Sequence, residues 1–403
     1  MTGMPLLDGV RVVDVSGEAA AYTGRILSDL GADVVLVEPP AGSPARQVPT
    51  NVRVPSGEAV SAHFLYMAAG KRSVTIDLTN AQGQQLFRRL VDASDVLVTD
   101  AAVGEMEALG LGYDQLHAHN PDVVYTSLTP FGLTGPRRRW RGSDLVGWAS
   151  SGALPAIGDP DRAPLAPGGG LAFMTGALNA AIGAMGALMA RRKGGVGQLV
   201  DVSVQEAVLS VTMEVSPLVV LEGGFDLGRT GKRRRGGPIG HYATSDGAVS
   251  IVAYMPEHWN TLAEWIREET GVEEVTSEAF AGTPISRMHY SELVDLWIEG
   301  LTTRYTKQAF FEEAQRRGIT VAPVNSARDL ADDAHLRATG GWTECESPDV
   351  GALRSPPPPI PVDGRAATAR PSPRLGEHNH DVFVGELGLT DDDVAALRAD
   401  GVI

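Results

Sequence analysis

Residues 168–190 carry no charge, and thirteen of these 23 residues are Gly or Ala. A run of this length is long enough to span a bilayer. Gly and Ala supply little apolar transfer free energy, however, and Asn179 sits in mid-run. The composition therefore predicts a buried helix from about Thr175, whose small residues let another backbone come close. Arg191, Arg192 and Lys193, then a glycine turn, close it, and residues 198–204 read as a strand. Whatever the rest of the chain does, it must wrap this segment.

The N-terminal third supplies the wrapping. A β-branched run from Val10 to Val15 reads as a buried strand, residues 19–30 as a helix ending at Gly31, and residues 32–38 as a second strand closed by Pro39 and Pro40. Strand, helix and strand at this spacing make a βαβ unit of a doubly wound sheet. No G-x-G-x-x-G follows the first strand, which argues against a dinucleotide site. Helix 80–93, strand 95–98 and a strand over residues 120–128 continue the α/β pattern. Residues 242–319 alternate short strands with helices, and a last helix covers 391–400.

The chain has 403 residues, enough for two domains. Its net charge of −16 argues against a nucleic-acid partner. Cys345 is the one cysteine, so neither a disulfide framework nor a cysteine metal cluster is expected. Residues 1–10 lack a basic stretch followed by an apolar run, so the expectation is a soluble cytoplasmic protein without a signal peptide. His378 and His380 lack a third ligand at recognisable spacing, and no metal is expected. His241 has no placed partner and reads as structural, as do Asp159 and Asp161 in a Gly-Asp-Pro-Asp turn.

Several segments together resemble the family III CoA-transferases, the CaiB/BaiF class. They are Leu27 with residues 29–34, Glu38-Pro-Pro with Gly42, Pro44 and Arg46, residues 70–78 (GKRSVTIDL), Gly176, Gly195 to Gln198, Ala322 to Asn325, and Leu375-Gly-Glu-His378. The resemblance covers nearly the whole chain in order. It implies a large Rossmann-like domain built from both chain ends plus a small α/β domain, with two such chains interlocked as a dimer. The implied division is 1–225 for the first part of the large domain, 226–325 for the small domain, and 326–403 for the return, the Pro-rich connector and the final helix. The implied chemistry is CoA transfer from an acyl-CoA to a carboxylic acid, with CoA or acyl-CoA as substrate.

In that family an aspartate four residues before the helix glycine attacks the thioester, a form of covalent catalysis. Here that position is Ala172, flanked by Leu171 and Phe173, and none of the three can serve. Asp144 is the weak substitute candidate. The related racemases add a His in a Gly-His-Asp triplet, which here reads Gly142-Ser143-Asp144 and removes the second acid/base group. For cofactor binding the resemblance offers Lys71, Arg72 and Arg141 as phosphate partners. Two further arginines of the family become Ala102 and Ala108, and Glu105 and Glu107 add negative charge beside them. Three readings follow: a transferase, a non-catalytic subunit beside a related catalytic chain, or a repurposed site. The dimer is accordingly expected as homomeric or with that related chain.

Overall fold

The computed structural model describes residues 5–48, 51–53, 59–212, 231, 238–281, 287–347, 349–356, 360 and 369–403. Two compact units make up the chain: Met1–Ala153 with Pro167–Gly223 and Ala334–Ile403, and Leu154–Ala166 with Gly224–Asp333.

The larger unit is built on six parallel strands: β1 (Arg11–Asp14), β2 (Asp33–Glu38), β3 (Arg72–Thr75), β4 (Val96–Thr99), β5 (Val124–Thr129) and β6 (Leu199–Ser203). Their spatial order is β3-β2-β1-β4-β5-β6, so the direction of winding reverses between β1 and β4. Both sheet faces are covered, which is why the strands read as continuous apolar runs. Adjacent residues of a strand point to opposite faces. Val12 and Val34 thus join one core with Leu27 and Ala177, while Val13 and Val35 join the other with Phe87 and Phe383. Helix α1 (Ala21–Asp29) lies on the first face and α2 (Ala81–Asp92) on the second.

The uncharged run forms the helix Leu171–Arg192, which starts four residues earlier than its pattern implies. The reason is a cap supplied from far away. Asp144, at the head of helix α3 (Asp144–Ser150), accepts hydrogen bonds from the backbone N–H groups of Ala172 (2.7 Å) and Phe173 (3.0 Å). It satisfies two of the amides that a helix start leaves open. We call Leu171–Arg192 helix α4. It is long and apolar enough to cross a membrane. Its inner face, however, with Ala172, Gly176, Ala180 and Ala184, is buried against the sheet. A Cβ on Gly176 would come within 2.8 Å of Leu128, and one on Gly183 within 2.5 Å of Val200, so glycine sets the helix-to-sheet distance. At its far end Arg191 reaches Asp95 at 2.5 Å, a cation at the negative end of the helix. Helix α5 (Val204–Val211) follows β6 directly.

Two of the motifs quoted above turn out to be staples. The buried carboxylate of Glu38 receives both Nε (2.6 Å) and Nη2 (2.7 Å) of Arg46, and the Ser73 hydroxyl (2.7 Å). Near the C-terminus, Asn379 accepts from Thr75 N–H at 2.8 Å and His378 Nδ1 accepts from Ser73 N–H at 3.2 Å. These side chains occupy the open edge of β3, where another strand would otherwise be able to pair. His380 lies 3.1 Å from Asp391.

The smaller unit has a three-stranded antiparallel sheet, β7 (Ile239–Thr244), β8 (Gly247–Val252) and β9 (Val321–Pro323), in the order β9-β8-β7. Helices α6 (Pro256–Thr270), α7 (Ser291–Thr302) and α8 (Lys307–Arg316) pack on it around Trp259, Trp265, Ile298 and Phe310. Within the Ala322-Pro-Val-Asn motif, Ala322 and Pro323 belong to strand β9 of this sheet, with Ser250 opposite Ala322. Residues 154–166 also belong to this unit, where Arg162 N–H bonds Asp159 C=O in a turn. Helix α9 (Asp391–Ala399) ends the larger unit.

Candidate active site

In open parallel sheets ligands sit outside the C-terminal strand ends, at the point where the winding reverses. Here that point lies between β1 and β4, and the chain fills it with its own charges. Asp14 ends β1 and is fully buried. Its Oδ2 accepts from Lys71 Nζ at 2.8 Å, and its Oδ1 from Ser16 N–H at 3.0 Å. Lys71 Nζ also donates to the carbonyl of Ala21 at 2.8 Å, and its side chain is 1% exposed. Helix α1 crosses directly over this pair: a Cβ on Gly24 would stand 2.0 Å from Asp14 Oδ2.

Asp100 follows β4 and turns its carboxylate toward the head of α1. It accepts from the N–H groups of Gly17 (2.7 Å), Ala19 (2.9 Å) and Ala20 (3.1 Å). This is the position at which such folds commonly hold an anion, and an internal carboxylate occupies it. Burial pushes the Asp100 carboxyl above the ordinary aspartate range, opposed by the Gly17 and Ala20 amides and reinforced by the charge of Asp14. The sign of the pH effect follows. A carboxyl whose folded-state value is raised takes its proton more readily in the folded chain, so stability falls as pH rises from about 4 through the folded value. Asp100→Asn is expected to flatten that part of the profile in urea titrations stepped from pH 4 to 8. Identical slopes in both proteins would exclude Asp100 as the source.

The cations named from sequence are dispersed. Lys71 is locked to Asp14, so contact with a phosphate requires that pair to open. Arg72 pairs with Asp33, at the N-terminal end of β2, and with Glu386, on the side of the sheet away from the strand C-termini. Arg141 is exposed in the loop before α3. The basic residues 232–235 lie outside the described residues, and His241 is exposed on β7 of the smaller unit. Ala108 lines a cavity of about 530 Å³ with Val15, Asp100, Glu105 and Leu109. No Lys, Arg or His is among its described lining residues.

At the head of α4 the first turn, Leu171-Ala172-Phe173-Met174, offers no carboxylate, hydroxyl or thiol. The Ala172 methyl is fully buried. The next hydroxyl, on Thr175, is turned back to the carbonyl of Leu171 at 2.7 Å. Asp144 is the acid beside this turn, and one of its oxygens serves the two amides already described.

The chain matches the model of CoA-transferase family III over residues 7–379. It belongs to that family. It is 34% identical over 397 residues to the protein named succinyl-CoA:(R)-benzylsuccinate CoA-transferase subunit BbsE of Thauera aromatica, covering 93% of this chain and 92% of that protein. It is 32% identical over 408 residues to succinyl-CoA–D-citramalate CoA-transferase of Chloroflexus aurantiacus, covering 98% of each. The crystal structure of a CaiB/BaiF family protein from Brucella suis superposes with a TM-score of 0.83 at 28% identity, covering 94% of this chain and 98% of that one. The α/β architecture with its parallel sheet is therefore that of the family III CoA-transferases, whose substrates are CoA thioesters. Sequence reasoning pointed to the positions around Ala102, Ala108 and Ala172. It missed the roles of Asp14 and Asp100. A charged residue closing an apolar strand, as in Val12-Val13-Asp14, is the signal that a buried counter-ion must exist.

Proposed function

We propose that this chain is the subunit without the nucleophile in a heteromeric family III CoA-transferase, working with a related chain that carries the catalytic carboxylate. The observation that carries the reading is the first turn of α4, which has no acid in a family whose chemistry begins with one. Two further observations support it. Asp144 already serves as the cap of that helix, and the relative BbsE is named as a subunit. The overall reaction exchanges partners without net oxidation: an acyl-CoA and a free carboxylate become a free carboxylate and a new acyl-CoA. The partner chain's carboxylate attacks the donor thioester, giving a mixed anhydride and CoA thiolate; the thiolate attacks that chain's own carbonyl, releasing the donor acid as a carboxylate and leaving CoA as an enzyme thioester. The acceptor carboxylate then displaces CoA thiolate to form a second anhydride, and the thiolate takes the acceptor's carbonyl and frees the enzyme carboxylate. This chain contributes the scaffold of an interlocked dimer, and Arg141 is the cation we assign to the CoA phosphates. Lys71 and Arg72 keep their internal partners. The complex works in the cytoplasm, where acyl-CoA is made and used.

The test is co-expression with a related chain that has the acid, assayed with succinyl-CoA and a panel of carboxylic acids. Turnover is expected only when both chains are present. The CoA adduct is expected on the partner by mass spectrometry, and Asp144→Asn in this chain should leave turnover unchanged. CoA transfer by this chain alone, abolished by Asp144→Asn, would make Asp144 the nucleophile and end the subunit reading.

A further inference from the structure

A second cavity, of about 340 Å³, is lined by Thr99 at the end of β4 and by Tyr125 and Ser127 of β5. Two hydroxyls reach it from the same face of β5, Tyr125 and Ser127, two residues apart. They are 4% and 2% exposed, yet neither has a hydrogen-bond partner among the described residues. Buried hydroxyls are nearly always satisfied, by protein, by water or by a ligand. This pair therefore marks the cavity floor as a place where another molecule is received.

The walls say what charge that molecule carries. Glu107 and Asp114 stand exposed at the rim, and the described lining residues include no Lys, Arg or His. An anion entering here meets two carboxylates and no counter-ion, whereas a cation is drawn in. Tyr113 and Tyr125 stand edge to face, with ring centroids 6.0 Å apart. Aromatic faces attract alkylammonium groups, and such groups tolerate the apolar remainder of the wall around Met106. Burial, with the charge of Glu107 adding to it, pushes the Tyr125 hydroxyl well above the ordinary tyrosine value, so it stays a neutral phenol able to donate. The volume is at the lower end of small-ligand pockets.

We infer that this cavity binds a small organic cation, an alkylammonium bearing a hydroxyl or other polar group. The ammonium lies between the Glu107 and Asp114 carboxylates and the tyrosine rings. The polar group meets the Tyr125 and Ser127 hydroxyls. The inference does not depend on the subunit reading, because it concerns residues of this chain away from the head of α4.

The probe is choline, compared with 3,3-dimethyl-1-butanol, which has the same shape without the charge. Calorimetric titration of the full chain at low salt is expected to give saturable choline binding about tenfold or more tighter than its isostere. The double variant Glu107→Gln, Asp114→Asn should bind both alike, and Tyr125→Phe should weaken choline several-fold. Raising the salt should weaken choline selectively, since the rim is solvent-exposed. The two rim substitutions change exposed residues and leave the fold intact, so a loss is attributable to charge. Absence of saturable choline binding, equal binding of the isostere, or an unaltered choline affinity in the double variant would each overturn the inference.

Discussion

Replacing Asp14 by Asn is expected to lower folding stability by about 3–5 kcal/mol, because it strands the buried ammonium of Lys71. A domain has roughly 5–15 kcal/mol in all, so this one atom exchange removes a large share. The argument rests on geometry. Both side chains are all but inaccessible, and among the described residues Asp14 Oδ2 is the one carboxylate oxygen in ion-pair contact with Lys71 Nζ. In the variant an amide N–H2 or a neutral oxygen faces that ammonium, and among the described residues no charged partner remains beside the carbonyl of Ala21. The double variant Asp14→Asn, Lys71→Met removes the stranded charge at nearly constant volume and should recover much of the loss, since an uncharged replacement of a buried pair is often neutral. Urea midpoints of the single and double variants decide it. A double variant less stable than Asp14→Asn would show that volume, not charge, holds this site. The same pair accounts for Gly24: any larger residue there puts a carbon on top of Asp14 Oδ2.

This pair also shows where reading a sequence stops. The βαβ start was legible because its signals are local: β-branched runs for the strands, Gly31 after the helix, two prolines after β2. Lys71 is 57 residues from Asp14, and Arg72 is 314 from Glu386. Nothing in a basic dipeptide tells a phosphate partner from a carboxylate elsewhere in the chain. The start of α4 was misplaced for the same reason, because its cap comes from Asp144 and not from the residues just before it. The motif Ala322 to Asn325 stands out in the sequence, but a strand of three residues does not name the neighbour it pairs with. The head of α4 differs only in that the side chains of its first turn, Leu171 to Met174, are written in the sequence itself.

Putting a carboxylate at that place tests whether the pocket around it is open to a nucleophile or closed by packing. Ala172→Asp is expected to destabilise the chain by about 3–5 kcal/mol and to yield no CoA transfer by the chain alone. Three effects oppose the new acid. The Ala172 methyl is fully buried, and the space beside it is so tight that a Cβ on neighbouring Gly147 would lie 3.1 Å from it and 2.7 Å from Val204. Overpacking of this kind typically costs about 1–3 kcal/mol. The amides of residues 172 and 173, which an acid there would seek, already bond Asp144. The two carboxylates would then lie side by side with no described cation between them. One effect favours the acid: the positive end of the α4 dipole, worth about 0.3–1 kcal/mol at ordinary sites and up to about 2. That is smaller than the sum opposing it. If Ala172→Asp keeps the parent's urea midpoint and acquires a CoA adduct on incubation with succinyl-CoA, the head of α4 is an intact catalytic pocket that has lost only its nucleophile. The need for a partner chain would then disappear. If the variant is destabilised and forms no adduct, the packing around Ala172 has closed over the position, and catalysis has to come from a second chain.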